Sequence, residues 1–267
     1  MNVSGLDIAL IEKHIYISML FSARMLVFLT ILPHFSENIP SGILRTGISF
    51  ALCLPLIVAA AANPDTQIQS LGQFTYYLML AKEAALGAFL AICVGIAYWS
   101  VSSAGNIVDI LSGSQMSDAI SPGTSDSVSY GALLFSNFFN YVFVIAGGIQ
   151  FLIPLLYQSY SVIGVMEWVP SFDLSTVQYL IELSSNLLAL AFVIFMPIIA
   201  SIFLVDIALG FYSKYNSQLN VTFLSSPLKL LVALICYLLG FDYFLIFFEQ
   251  LIDGYSSVVS LALESLS

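Results

Sequence analysis

The sequence predicts an all-α, polytopic helical membrane protein, and three observations carry that prediction. Of its 267 residues, 60% are hydrophobic and only 8% are charged, against about 25% charged in a soluble domain. Its mean hydropathy is +0.99, so water could not solvate the surface. Six runs with few charges approach the ~20 residues that cross a bilayer. They are Ile15–Pro33, Ile43–Ala62, Tyr77–Val101, Tyr130–Tyr157, Leu187–Val205 and Leu228–Phe248. About six hydrophobic helices arranged as helical hairpins are expected, in a single domain over 1–267 with halves of about 1–129 and 130–267.

The first run follows Asp7 and Glu12 rather than a basic stretch and is full length, which does not read as a cleavable signal. It carries Arg24 in mid-span, where an unpaired charge costs about 2.5–3.5 kcal/mol, so Arg24 needs a partner. Pro33, Pro55, Pro154 and Pro197 lie within or at the ends of runs, where proline kinks or ends a helix. In the third run Gly87, Ala91 and Gly95 recur every four residues, a smooth stripe against which another helix can pack closely. Lys82 and Glu83 are adjacent and point about 100° apart on a helix, so each is expected to face a different neighbour.

Helical spacing continues through Gly105, Asp109 and Gly113. An acid on that face should meet protein or water rather than lipid. The stretch Ser112–Gly131 (SGSQMSDAISPGTSDSVSYG) is rich in serine, glycine and aspartate and contains Pro122. It reads either as a linker or as a constriction loop with Gln115 and Met116 as its reaching side chains. Positive residues favour one side: Arg45, Lys214 and Lys229 fall at the first and fifth connectors, with Lys13 against them. The positive-inside rule places those connectors in the cytoplasm and both termini outside.

The block Val205–Leu231 carries the sharpest local argument. It places Asp206 at the end of the fifth run, where the helix dipole disfavours an anion, and Lys229 in the expected first turn of the sixth, where it disfavours a cation. Ser225, Ser226 and Pro227 suit a helix start. Each charge is misplaced alone and reasonable if the two ends meet, so Asp206 is expected to contact Lys229 or Lys214 and close a hairpin.

Enzyme signatures are absent. There is no GxxxxGK[ST] loop, and His14 and His34 are the only histidines, which excludes HExxH. Asp206 and Asp242 are the nearest approach to an intramembrane aspartyl protease pair. A self-contained ion-coupled transporter using Asp109 or Glu83 is the other alternative. Asn220-Val221-Thr222 matches a glycosylation sequon, a pattern short enough to occur by chance. Cys53, Cys93 and Cys236 sit in apolar runs as small hydrophobes. No catalytic residue, metal or cofactor is expected, and a net charge of -10 argues against nucleic acid as a partner.

Three sets of residues carry a resemblance. They are Asp206-Ile-Ala-Leu-Gly210 with Gln218-Leu-Asn220-Val and Pro227-Leu-Lys229; Lys82-Glu83 with Gly87, Gly105 and Asp109; and Arg24 with Pro33, Pro40 and Arg45. In this order the chain resembles the T-component family of the type III secretion export apparatus, which includes SctT (SpaR) and the flagellar FliR. SKYNS at 213–217 and ISPG at 120–123 depart from the flagellar pattern and favour the virulence-secretion branch. The resemblance implies a non-enzymatic, multi-pass subunit of the bacterial inner membrane, within the basal body of the secretion system. Its implied partners are the lipid bilayer, the R- and S-components, other export-gate membrane proteins, the needle and inner-rod base, and unfolded secreted substrates. It implies a hetero-oligomeric gate lying partly above the membrane plane, in which Lys82, Glu83 and Asp109 face partners or the pore.

Overall fold

A computed structural model describes residues 3–33, 42–62, 72–113, 130–167, 174–215 and 221–247. Every regular element among them is helical: α1 (Val3–Ile31), α2 (Gly42–Ala62), α3 (Gln73–Ser112), α4 (Tyr130–Ile145), α5 (Gly148–Val162), α6 (Leu174–Tyr215) and α7 (Val221–Leu239), followed by a short α8 (Phe241–Phe247). Within α1, α2, α3 and α6, segments long and apolar enough to cross a membrane cover His14–Ile31, Gly42–Ala60, Gln73–Ser112 and Phe192–Tyr215. Two broken pairs, α4 with α5 and α7 with α8, bring the number to six if each pair is one span.

Three of the boundaries that differ from the sequence reading bear on the site. The run Tyr130–Tyr157 is not one helix, because the chain turns at Ala146–Gly147. Gly147 takes a left-handed φ of 83°, and a side chain at Gly148 would stand 2.5 Å from the Phe143 ring. Second, α6 starts well before Leu187 and runs on past Val205, so Asp206 lies inside a helix rather than at its end. Third, α7 begins at Val221, which puts Pro227 and Lys229 inside it. Pro227 is the seventh residue of α7, past the first turn, so it removes one backbone bond of a helix already begun, and the Ser-Ser-Pro signal did not mark the boundary.

The chain divides into two compact units: Met1–Gly95 with Leu152–Val177 and Val258–Ser267, and Ile96–Phe151 with Gln178–Ser257. In the first, α1 buries Ile17, Leu20, Arg24, Met25 and Phe28, with Leu32 just beyond its end, a helical spacing that forms one inward stripe. Ile17 of α1 packs with Ala60 of α2, flanked by Phe21 and Ile57. The core of the second is aromatic. Phe135 of α4 sits 4.6 Å from Phe195 of α6 and 4.9 Å from Tyr237 of α7, edge to face in both cases, the geometry that ring quadrupoles favour. Phe244 of α8 closes the cluster 5.3 Å from Tyr237, beyond a 63° bend at Gly240.

Candidate functional site

In the first unit a charge cluster is built around a glycine. A Cβ on Gly87 would stand 2.3 Å from the backbone oxygen of Arg24, so only glycine lets α1 press against α3 at that crossing. Glu83 lies one helical turn before Gly87, which brings its carboxylate within reach of the Arg24 side chain. Arg24 Nε donates to Glu83 Oε2 at 2.7 Å and its terminal nitrogen to Oε1 at 3.1 Å. The same guanidinium donates to Ser159 O at 2.7 Å, Ser159 Oγ at 3.1 Å and Ile163 O at 3.0 Å. These contacts engage every N–H that an arginine carries. Its plane also lies 4.2 Å from the centre of the Tyr160 ring, a cation–π contact. Arg24 and Glu83 are fully buried.

Lys82 completes the cluster. Its ammonium donates to the carbonyls of Gly164, Val165 and Glu167 at 2.8–3.1 Å and stands 2.8 Å from Glu83 Oε1. That corrects the expectation that Lys82 and Glu83 do not pair: the flexible four-carbon stem of lysine bends the charge back to its neighbour. The electrostatic logic is local. The last carbonyls of a helix have no partner of their own and carry the negative end of its dipole. Here the carbonyls at the end of α5 and just beyond it accept from two cations, and Glu83 balances one of them. The resemblance implied that Lys82 and Glu83 face partners or a pore; both instead take buried partners within this chain.

The second unit repeats the device at the other end of α3. A Cβ on Gly105 would stand 2.8 Å from the Ala132 backbone, so α4 crosses α3 there. One turn on, Asp109 Oδ2 accepts from Gly131 N–H at 2.6 Å. A carboxylate at a helix N-terminus satisfies an orphan donor and meets the positive end of the dipole. Gly131 leaves no room for a side chain, since its Cβ would stand 2.6 Å from Asp109 Oδ1. Asp109 is buried and, like Glu83, is occupied inside the chain.

Lys229 reaches Asp206 Oδ1 at 2.6 Å and also donates to Leu111 O, near the end of α3, at 3.2 Å. Lys214 lies in the last turn of α6, where its charge suits the dipole. Among the sequence-derived packing residues, Ala91 and Gly95 are buried. Gly113 has a different part: its φ of 74° is left-handed and α3 ends just before it, so it terminates the helix. Pro227 is exposed on α7. Gln115, Met116, Pro122, Gln218 and Asn220 lie outside the described residues.

Sequence reasoning missed Ser159, Tyr160 and the 163–167 carbonyls. Backbone acceptors leave no trace in a sequence. The Asp206–Lys229 pair forms, although both residues lie inside their helices rather than at the ends.

Comparison with known proteins connects this architecture to a family. The family described as Bacterial export proteins, family 1, matches residues 15–255. The chain is 29% identical to the Yop proteins translocation protein T of Yersinia pestis, over 84% of this chain and 85% of the relative. It is 28% identical to the secretion system apparatus protein SsaT of Salmonella typhimurium, over 78% and 80%. It is 29% identical to the flagellar biosynthetic protein FliR of Bacillus subtilis, over 81% and 85%. The match covers most of the chain, with both glycine crossings and the charges around them, and on that ground the chain belongs to the bacterial export proteins, family 1.

Proposed function

We propose that this chain is a structural membrane subunit of a type III secretion export apparatus, seated in the bacterial inner membrane and helping to form the conduit for unfolded secreted proteins. The observation that carries the reading is the family match from residue 15 to 255, joined to relatives named for Yop translocation and secretion apparatus. The identities to the Yersinia and Bacillus proteins are equal, so the virulence branch rests on SKYNS at 213–217 and ISPG at 120–123. The R- and S-components and the needle and inner-rod base are the proposed partners.

The geometry weighs against the two rival readings. An ion-coupled transporter needs a carboxylate free to titrate or bind an ion, whereas both Glu83 oxygens accept from cations. An aspartyl protease needs two carboxylates sharing a proton, whereas Asp206 is paired with Lys229. Extraction in mild detergent followed by mass spectrometry tests the main reading. Small membrane proteins of the apparatus should co-purify, and a chain that purifies alone and transports alone would overturn it. Within this reading, the stretch 112–131 with Gln115 and Met116 is the proposed gate. A photo-crosslinker at 116 should capture a stalled substrate, and no capture from any position in 112–131 removes that assignment.

A further inference from the structure

The ion pair that joins α6 to α7 leaves part of its acid unused. Asp206 remains 43% exposed while Lys229 is only 12% exposed, and the second Asp206 oxygen has no partner among the described residues. At 100° per residue, Phe203, Asp206, Ile207, Gly210 and Lys214 fall within an arc of about 100° on α6. Phe203 is 52% exposed and Ile207 55% exposed; Gly210 and Lys214 are exposed as well. Nothing lies within 4 Å of where a Cβ on Gly210 would stand. The face is thus a glycine notch with an acid one turn to one side and a base one turn to the other, rimmed by large apolar groups. Hydrocarbon would penalise the acid and leave the notch unfilled.

We infer that this face of α6 docks a helix of a different membrane protein, which crosses at Gly210 and presents a basic side chain level with Asp206 and an acid level with Lys214. Charge complementarity selects the occupant. A second copy would satisfy the pattern only by packing antiparallel, with Asp206 against Lys214 in both directions. Copies inserted in one membrane share an orientation, so their α6 helices run parallel and a two-fold axis would set Asp206 against Asp206. A different chain meets no such conflict. The inference rests on the reading that the chain works inside a multi-protein export complex.

The test uses the complete apparatus extracted in mild detergent, with a photo-crosslinking amino acid at position 210 and, as control, at the exposed Ala208 on the far side of α6. The expected product forms from 210 and not from 208. It maps to a membrane helix of another protein with Lys or Arg within one turn of the crosslinked residue. A second arm separates docking from folding: Asp206→Lys with Lys229→Asp keeps the internal pair but reverses the surface charge. That variant should recover most of the wild-type amount of chain while lowering the co-purified partner at least tenfold. Crosslinks only to lipid or to a second copy, equal product from 208, a helix without a base, or full partner recovery by the swapped variant each overturn the inference. If other membrane proteins still co-purify in those cases, the export reading stands and the docking face alone fails. If none does, both fail.

Discussion

At the scale of single residues, α3 uses one arrangement twice: a glycine at a helix crossing and an acid one turn away that the crossing brings to its partner. Gly87 serves Glu83 and Arg24, and Gly105 serves Asp109 and Gly131. The consequence is a difference in sign between two chemically identical substitutions. Gly87→Ala drives a methyl into the Arg24 backbone, which no side-chain rotation relieves, and should destabilise the fold by about 1–3 kcal/mol. Gly47→Ala on α2 meets open space and should stabilise by up to about 1 kcal/mol through helix propensity. Thermal unfolding in detergent reads both, and equal effects would refute the crossing argument. The charges give a second prediction at this scale. Arg24→Leu strips Glu83 of a buried partner and should cost about 3–5 kcal/mol, whereas Arg24→Leu with Glu83→Leu should cost less than the sum of the two single changes. Additive losses in that double-mutant cycle would show that the pair is not coupled. Arg24 and Glu83 stand out in the sequence as charges in apolar runs, and Gly87 and Gly105 as small residues at helical spacing. Their partners do not, because three of the five Arg24 bonds end on Ser159 or a carbonyl beyond it.

At the scale of elements, what sequence could locate depended on contrast in polarity. The second run, Ile43–Ala62, coincides with α2 to within a residue, because polar stretches bound it on both sides. The third helix is 40 residues long: its apolar run ends at Val101, since Ser102, Ser103 and Asn106 dilute the signal, and the helical spacing of Gly105, Asp109 and Gly113 carries the helix on. Likewise, Glu182 and Asn186 made the first half of α6 read as a connector, although nothing there interrupts a helix. The pairing of Asp206 with Lys229 was inferred from dipoles at helix ends that do not exist, yet the pair forms. Two opposite charges in apolar segments close in sequence stabilise each other by meeting, wherever the helix ends fall. Single reversals, Asp206→Lys or Lys229→Asp, should each lower the amount of chain in the membrane several-fold, because like charges then face each other. The double reversal should recover most of it. A double variant no better than either single one would show that the contact does not hold α6 to α7.

At the scale of the whole molecule, the lengths of the helices matter more than their number. At 1.5 Å per residue, the 42 residues of α6 extend about 63 Å, roughly twice the ~30 Å of bilayer hydrocarbon. No tilt of ordinary size accommodates that excess, so a large part of α6 lies in headgroups, water or protein. The distribution of polarity along it indicates which part. The segment apolar enough to span is Phe192–Tyr215, whereas Gln178, Glu182 and Asn186 mark the preceding half, with Glu182 and Asn186 exposed. The difference between the two halves can be measured on the intact chain. In a background with Cys53, Cys93 and Cys236 replaced by alanine, Glu182→Cys should react with a membrane-impermeant maleimide. Leu204→Cys should react at least tenfold more slowly, because Leu204 is 66% exposed on the apolar segment and off the docking face, where lipid covers it. Equal labelling at both positions would mean that the second half of α6 is as wet as the first. The extra length would then belong to a water-lined helix rather than to one that leaves the membrane.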